Sequence, residues 1–70
     1  MDDDLRYRLL ELIANGEWQS RQYLEETLKC SRAELDEVAA GTKLESGLRL
    51  QIYQNGADWL AREREKRKQP

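Results

Sequence analysis

The sequence contains no histidine and no phenylalanine, and it has one cysteine, Cys30, and one proline among its 70 residues. A single cysteine cannot form an intramolecular disulfide, so the core must hold without a covalent link, as in a reducing cytoplasm. Without histidine the chain has neither a Cys/His metal set nor a histidine-assisted nucleophile. Paired carboxylates would need a larger pocket than such a chain usually forms. We therefore predict a cytoplasmic protein that is not an enzyme and holds no metal or cofactor, with Cys30 a partly buried apolar residue.

Size and hydropathy restrict the architecture further. A chain of 70 residues accommodates one small domain. Apolar residues make up 39% and charged residues 37%, which is typical of a soluble chain with a modest core. No apolar run approaches the roughly 18 residues of a membrane span, and Met1-Asp2-Asp3-Asp4 is the opposite of a basic signal-peptide start. The sequence therefore indicates neither a membrane protein nor a secreted one.

Charge is distributed unevenly along the chain. The totals of 12 basic and 14 acidic residues give a net charge of −2. The acidic start contrasts with a cluster of Lys and Arg near the C-terminus, so we predict a domain over residues 4–61 and a basic tail over residues 62–70. Two interpretations of the tail remain open: it neutralises nucleic-acid phosphates, or it is a plain solvated terminus.

Apolar spacing and capping residues predict three helices. A stripe of leucines predicts a first helix over Asp4–Ala14, which Asn15-Gly16 ends. Ser20 is a good N-cap for a second, short helix. Ser31 begins a third helix with a capping box, because Glu34 lies three residues later. The inner face of this third helix is predicted to comprise Leu35, Val38, Ala39 and Thr42. Gly41 within this pattern predicts a loose or kinked last turn, or a helix that ends near it.

From residue 48 the apolar period changes to two. Leu48, Leu50 and Ile52 alternate with other residues, as in a half-buried strand. Asn55-Gly56 follows as a tight-turn signal, and residues 57–61 can return as a second strand. The pattern therefore predicts a β-hairpin over residues 48–61. The predicted core comprises Leu9, Leu12, Ile13, Leu24, Leu28, Leu35, Val38, Leu50, Ile52 and Trp59.

Three helices followed by a C-terminal two-stranded wing is the order of a winged helix-turn-helix domain, a mainly α fold with a β-hairpin. The segments 12–20, 24–28 and Ser31-Arg32-Ala33 resemble the N-terminal DNA-binding domain of the biotin operon repressor family. In that family a similar stretch joins the first two helices, and Ser-Arg-Ala opens the recognition helix. Asn55-Gly56 stands where the family's wing turn would fall. The resemblance implies a winged helix that binds DNA, without the family's ligase domain.

The first functional hypothesis is a small bacterial transcriptional regulator of the kind that phages and plasmids also carry, with double-stranded DNA as its partner. Ser31, Arg32 and Ala33 are predicted to enter the major groove. The other predicted DNA contacts are Arg21 and Lys29 on phosphates, and Arg49, Gln54 and Asn55 in the wing.

The second hypothesis follows from the acidic outward face of the third helix. Glu34, Asp36 and Glu37 all follow Ser31, and duplex phosphates would repel them. With Glu34 occupied by the capping box, Asp36 and Glu37 are candidates for docking on a basic protein partner. The sequence also leaves open a homodimer.

Overall fold

The computed structural model describes residues 2–68. Over this range the chain forms a small, mainly helical domain with four helices and one three-stranded antiparallel sheet. None of these helices is long and apolar enough to cross a membrane. In chain order the elements are α1 (Asp3–Leu12), β1 (Gln19–Ser20), α2 (Arg21–Leu28), α3 (Arg32–Glu37), β2 (Thr42–Glu45), β3 (Arg49–Ile52) and α4 (Gln54–Lys68).

Side-chain caps fix the starts of the first three helices, as expected for residues with short polar side chains. Asp2 caps α1 and Ser20 caps α2. The predicted capping box of α3 is confirmed. The Ser31 hydroxyl accepts from the Glu34 N–H at 3.1 Å, and the Glu34 carboxylate accepts from the Ser31 N–H at 2.8 Å.

Helix α3 is shorter than its apolar stripe predicts. It ends at Glu37, with Val38 as the C-cap residue, and Thr42 belongs to β2. Gly41 has a φ of +91°, a left-handed conformation that favours glycine and turns the chain away from the helix. The chain therefore enters the sheet where the sequence pattern predicts the last helical turn.

The predicted position of the hairpin is wrong. The alternating segment does form β3, but its partner β2 precedes it, with register from Thr42↔Ile52 to Glu45↔Arg49. The turn is Ser46-Gly47, whose φ values of 52° and 68° are both positive, as tight hairpin turns require. Residues 57–61 lie in α4 instead of a strand. Strand β1 pairs with the other edge of β3, so the sheet order is β1-β3-β2.

A close backbone contact explains why Asn55-Gly56 lies in a helix. A Cβ added to Gly56 would clash with the Gly41 carbonyl oxygen. The Tyr53 N–H also donates to that oxygen, at 2.8 Å. Gly56 therefore allows the first turn of α4 to approach the loop before β2, and it does not form a turn between strands.

The core lies between the helices and the inner face of the sheet. Every residue predicted for it lies within it or packs against it, with Leu12, Ile52 and Trp59 only partly buried. Leu5, Leu10 and Leu60 are members that the sequence prediction omits. The buried residues are Leu5, Leu9, Leu10, Ile13, Leu24, Leu28, Leu35, Val38, Leu50 and Leu60.

Candidate functional site

A cleft of about 550 Å³ lies between the start of α2 and the turn of the β2–β3 hairpin. We call it the hairpin cleft. Its lining includes Arg21, Arg32 and Arg49 together with the carboxylates of Glu25 and Glu45. A backbone hydrogen bond from the Arg21 N–H to the Leu48 carbonyl, 2.7 Å long, holds the start of α2 against the hairpin turn. The cleft is therefore built by elements that are directly bonded to each other.

Arg21 holds α2 against α3 and does not point outward. The residue is only 6% exposed. Its guanidinium forms an ion pair with Asp36 and donates to the Arg32 carbonyl at 3.4 Å. Its Nε lies 3.2 Å from a Glu25 carboxylate oxygen, an electrostatic pair without an aligned N–H bond. This structural role takes the place of the predicted phosphate contact, because a buried guanidinium cannot reach a DNA backbone.

The acidic residues of α3 are partly neutralised within the domain. Asp36 pairs with Arg21 while its own side chain remains 59% exposed. The Ser31 N–H and hydroxyl both lower the pKa of the Glu34 carboxyl by stabilising its charged form. A hydrogen bond does not cancel a negative charge, so within residues 2–68 only Asp36 among the three is paired with a cation. The repulsion that α3 would exert on a phosphate is therefore weaker than its sequence indicates.

The predicted base-reading residues lie together at an exposed helix start. Ser31, Arg32 and Ala33 are all exposed, and Arg32 reaches the hairpin cleft. Lys29 is exposed at the C-cap of α2, in a left-handed conformation with φ of 55°. Four of the predicted DNA contacts thus occupy one continuous segment between α2 and α3.

The residues predicted for the wing separate into two groups. Arg49 lies on β3, where it pairs with Glu45 and stands 5.6 Å from the centre of the Trp18 ring. Gln54 and Asn55 lie in the first turn of α4, outside the hairpin. Gln54 donates to the Asp58 carboxylate at 3.0 Å. Their assignment to a wing is wrong because the hairpin turn lies earlier in the chain.

Three exposed residues of the hairpin were not among the contacts predicted from the sequence. Lys43 is exposed on β2, and its ammonium lies 4.8 Å from the centre of the Tyr53 ring. Leu44 and Leu48 are 56% and 66% exposed. The signal that could have found them is Ser46-Gly47, a common turn dipeptide, placed before an alternating segment.

Residues 62–68, predicted as part of a basic tail, are the C-terminal half of α4. Arg64 pairs with Glu11 of α1, and the Arg64 guanidinium lowers the pKa of the Glu11 carboxyl. Arg67 lies 3.1 Å from an Asp4 oxygen and 3.9 Å from the centre of the Tyr7 ring. Two of the tail's cations are therefore engaged with α1. The rest of the predicted tail, residues 69 and 70, lies outside the described residues.

Cys30 is half-buried just after α2. Burial raises the pKa of its thiol above the ordinary value, and the nearby carboxylates of Glu34 and Glu25 raise it further. A thiol with a raised pKa is a poor nucleophile near neutral pH. This environment suits the apolar packing role predicted from the sequence.

No group of His, Cys, Asp and Glu within residues 2–68 is arranged to hold a metal ion. A scan against protein-family models, a search of curated proteins and a search of solved structures return no match for this chain. The function must therefore be argued from the geometry of the hairpin cleft and its surroundings.

Proposed function

We propose that this chain is a winged helix domain that binds duplex DNA through the start of α3 and the β2–β3 hairpin. The observation that carries the proposal is that Arg32, at the start of α3, and Arg49, on the hairpin, line the same cleft. In winged helix proteins the recognition helix and the wing approach DNA side by side. The sequence resemblance of residues 12–33 to the biotin operon repressor family supports the same interpretation.

The two arginines suit different parts of a duplex. Arg32 is exposed in the first turn of α3, where a guanidinium can donate two hydrogen bonds to a guanine edge in the major groove. Arg49 lies on the same face of the hairpin as exposed Lys43. It pairs with Glu45, but its side chain remains 49% exposed, and cations placed there can contact the neighbouring phosphates. Arg32 is therefore the proposed base-reading residue, and Arg49 and Lys43 supply affinity that is independent of sequence.

Electrostatic balance sets the expected strength of binding. Asp36 is partnered by Arg21, whereas Glu34 and Glu37 have no cationic partner within residues 2–68, so these two carboxylates are the main source of repulsion on α3. Arg64 and Arg67 are engaged by α1. We therefore expect modest affinity with a shallow dependence on salt, because few phosphates are neutralised and few counterions are released.

The test is a fluorescence anisotropy titration of the full chain with duplex DNA at low and at moderate salt. Arg32→Ala should weaken binding to a duplex selected from a random pool by about 1–3 kcal/mol, the usual contribution of a good base contact. Arg49→Ala should weaken all duplexes similarly. Arg62→Ala, which removes an exposed arginine of α4, is the matched control and should change little. Absence of duplex binding by the full chain at low salt would refute the proposal.

A protein-binding role remains the second candidate, and the exposed Leu44 and Leu48 favour it, since apolar side chains on a hairpin suit a protein surface better than a phosphate. Glu37→Gln separates the two roles. DNA binding predicts tighter nonspecific association after this change, whereas docking of acidic α3 on a basic partner predicts weaker capture of that partner. Asp36 is unsuitable for this test because its loss would also release Arg21.

A further inference from the structure

Strand β2 is an uncovered edge of the sheet. In the order β1-β3-β2, no strand within residues 2–68 lies on its outer side. Lys43, Leu44 and Glu45 are all exposed. An uncovered edge carries backbone donors and acceptors that another strand can use.

The hydrogen-bond alternation identifies which backbone groups on this edge face outward. The Tyr53 N–H donates to the Gly41 carbonyl, which makes these two residues a hydrogen-bonded pair. In an antiparallel ladder such pairs alternate with pairs whose N–H and C=O groups point away from the partner. The register then makes Lys43↔Gln51 a bonded pair and leaves Leu44 opposite Leu50 with its backbone groups directed away from β3. The N–H and C=O of Leu44 are therefore available to another strand.

The side chains flanking Leu44 carry opposite charges. Lys43 precedes it and Glu45 follows it, and both project from the face of the sheet opposite to that of Leu44. Charges on an edge strand normally keep other strands away. In an antiparallel pairing centred on Leu44, however, Lys43 faces Glu45 of the partner subunit, and Glu45 faces Lys43 of the partner subunit. The charge pattern of β2 is thus complementary to itself.

We propose that β2 pairs with β2 of a second copy of this chain, antiparallel, around a two-fold axis through Leu44. The two Leu44 residues exchange a pair of N–H···O=C bonds on the axis, and two Lys–Glu pairs flank them. The half-exposed Leu44 side chains meet on the core side of the sheet. Glu45 already pairs with Arg49 on the outer face, so a partner lysine there extends that ion pair into a network. This assembly joins the two sheets into one.

Sedimentation equilibrium of the full chain over a range of concentrations up to millimolar tests the proposal, with a reversible monomer–dimer equilibrium as the expected result. Lys43→Glu and Glu45→Lys should each raise the dimer dissociation constant by about tenfold, because each places like charges opposite each other twice. These variants shift the net charge in opposite directions, so a common loss cannot arise from net charge. The double exchange K43E/E45K should restore dimerisation, since opposite charges face each other again. Arg62→Glu, the same change in charge on exposed α4, should leave the dimer intact.

A substitution at Leu44 tests the backbone hydrogen bonds on the two-fold axis. Leu44→Pro removes the N–H that donates to the partner. That N–H does not bond to β3, so the substitution removes no hydrogen bond within the monomer. The monomer should therefore keep its circular dichroism while the dimer is lost. Amide hydrogen exchange of Leu44 in the native chain should slow as protein concentration rises. A chain that remains monomeric at millimolar concentration overturns the proposal. So does a dimer that is unaffected by both Lys43→Glu and Leu44→Pro.

Discussion

Charged residues at the two ends of the molecule are engaged to different degrees. At the α1–α4 end, Arg64 and Arg67 contact Glu11 and Asp4, so acidic and basic residues that are far apart in sequence neutralise each other. At the hairpin end, the Arg32 side chain has no ion-pair partner within residues 2–68, although it lines a cleft. The comparison teaches that the more basic segment of a sequence is not necessarily the one available to a ligand.

Apolar exposure follows the same division. Leu44 and Leu48 of the hairpin are largely exposed, whereas Leu5 of α1 and Leu60 of α4 are buried. Helix α4 packs its apolar residues onto α1, and the hairpin extends beyond the core. A closed end, formed by α1 and α4, and an open end, formed by the hairpin and the start of α3, therefore coexist in one small domain.

The largest effect is expected for Leu35→Ala, which removes the single buried residue of α3. Leu35 is 0% exposed, so its truncation should lower the free energy of unfolding by about 2–5 kcal/mol. Urea unfolding followed by circular dichroism measures the change. Leu44→Ala is the matched control, because an exposed leucine should contribute within about 0.5 kcal/mol. Equal effects of the two substitutions would mean that α3 is not packed through Leu35.

Gly56→Ala tests the close contact between α4 and the loop before β2. In an ordinary helix this change would stabilise by about 1 kcal/mol. Here the new Cβ would meet the Gly41 backbone, so we expect destabilisation of about 1–3 kcal/mol, as for overpacked sites. Thermal unfolding provides the measurement. Asn55→Ala, at an exposed position in the same helical turn, should be neutral or stabilising. A stabilising Gly56→Ala would contradict the close approach of α4 to the loop before β2.

Arg21→Met distinguishes a structural arginine from a DNA-binding one. It removes the ion pair with Asp36 and the contact with Glu25, and because both carboxylates keep some access to water, we expect a loss of about 1–2 kcal/mol in unfolding free energy. Affinity for duplex DNA, measured well below the melting temperature, should change less than it does for Arg49→Ala. The reverse order would restore Arg21 to the phosphate-binding role predicted from the sequence.

A chain ending at Ala61 tests how much the closed end depends on the second half of α4. It loses the Arg64–Glu11 pair and the contacts of Arg67 with Asp4 and Tyr7. These contacts are exposed to solvent, so only a small loss of unfolding free energy is expected from them. If residues 62–70 instead bind DNA phosphates, truncation will reduce the affinity for duplex DNA much more than the free energy of unfolding. Glu11→Gln, which breaks one pair and retains the helix, is the control.

Local signals made the helix starts and most of the core predictable from sequence. Ser20 and Ser31 cap their helices through their own hydroxyls, and Glu34 closes the capping box within one turn. Leucines at helical spacing identify the buried faces without reference to the rest of the chain. The caps and the leucine spacing can both be recognised in the sequence without knowledge of tertiary contacts.

The hairpin position was not predictable in the same way, because two turn signals compete. Asn55-Gly56 is the stronger signal for a tight turn, but Gly56 is needed where α4 meets Gly41, a contact between residues distant in sequence. Ser46-Gly47 forms the turn instead. Alternation in residues 48–53 indicates a strand without indicating which neighbour it pairs with.

The candidate site was predictable only in part for a related reason. The start of α3 was predictable because its capping box involves only Ser31 and Glu34, which are close in sequence. The burial of Arg21 depends on Asp36, which lies 15 residues later across the α2–α3 turn. The role of residues 62–68 depends on α1, at the other end of the chain. Long-range ion pairs thus decide which cations remain available.

The smallest expected effect is an acid dependence of stability that differs between the two ends. The carboxyls of Glu11 and Glu34 both have pKa values below the ordinary 4.5, because the Arg64 guanidinium and the Ser31 N–H, respectively, stabilise their charged forms. A lowered folded-state pKa means that the unfolded chain binds protons first as the pH falls. Each carboxylate therefore contributes stability above pH 4.5, and that contribution is lost as the pH falls through the folded-state pKa.

Urea unfolding between neutral pH and pH 3 measures this loss of stability. Repeating the measurement at higher salt distinguishes the contribution of Glu11 on α1 from that of Glu34 on α3. The exposed Glu11–Arg64 pair is screened by added salt, so the difference between the native chain and Glu11→Gln should shrink as salt rises. The Glu34–Ser31 bond lies within one helical turn, so the difference between the native chain and Glu34→Gln should respond less to salt. Equal salt responses of the two differences would show that the ion pairs of α1 and α4 do not distinguish the closed end from the open one.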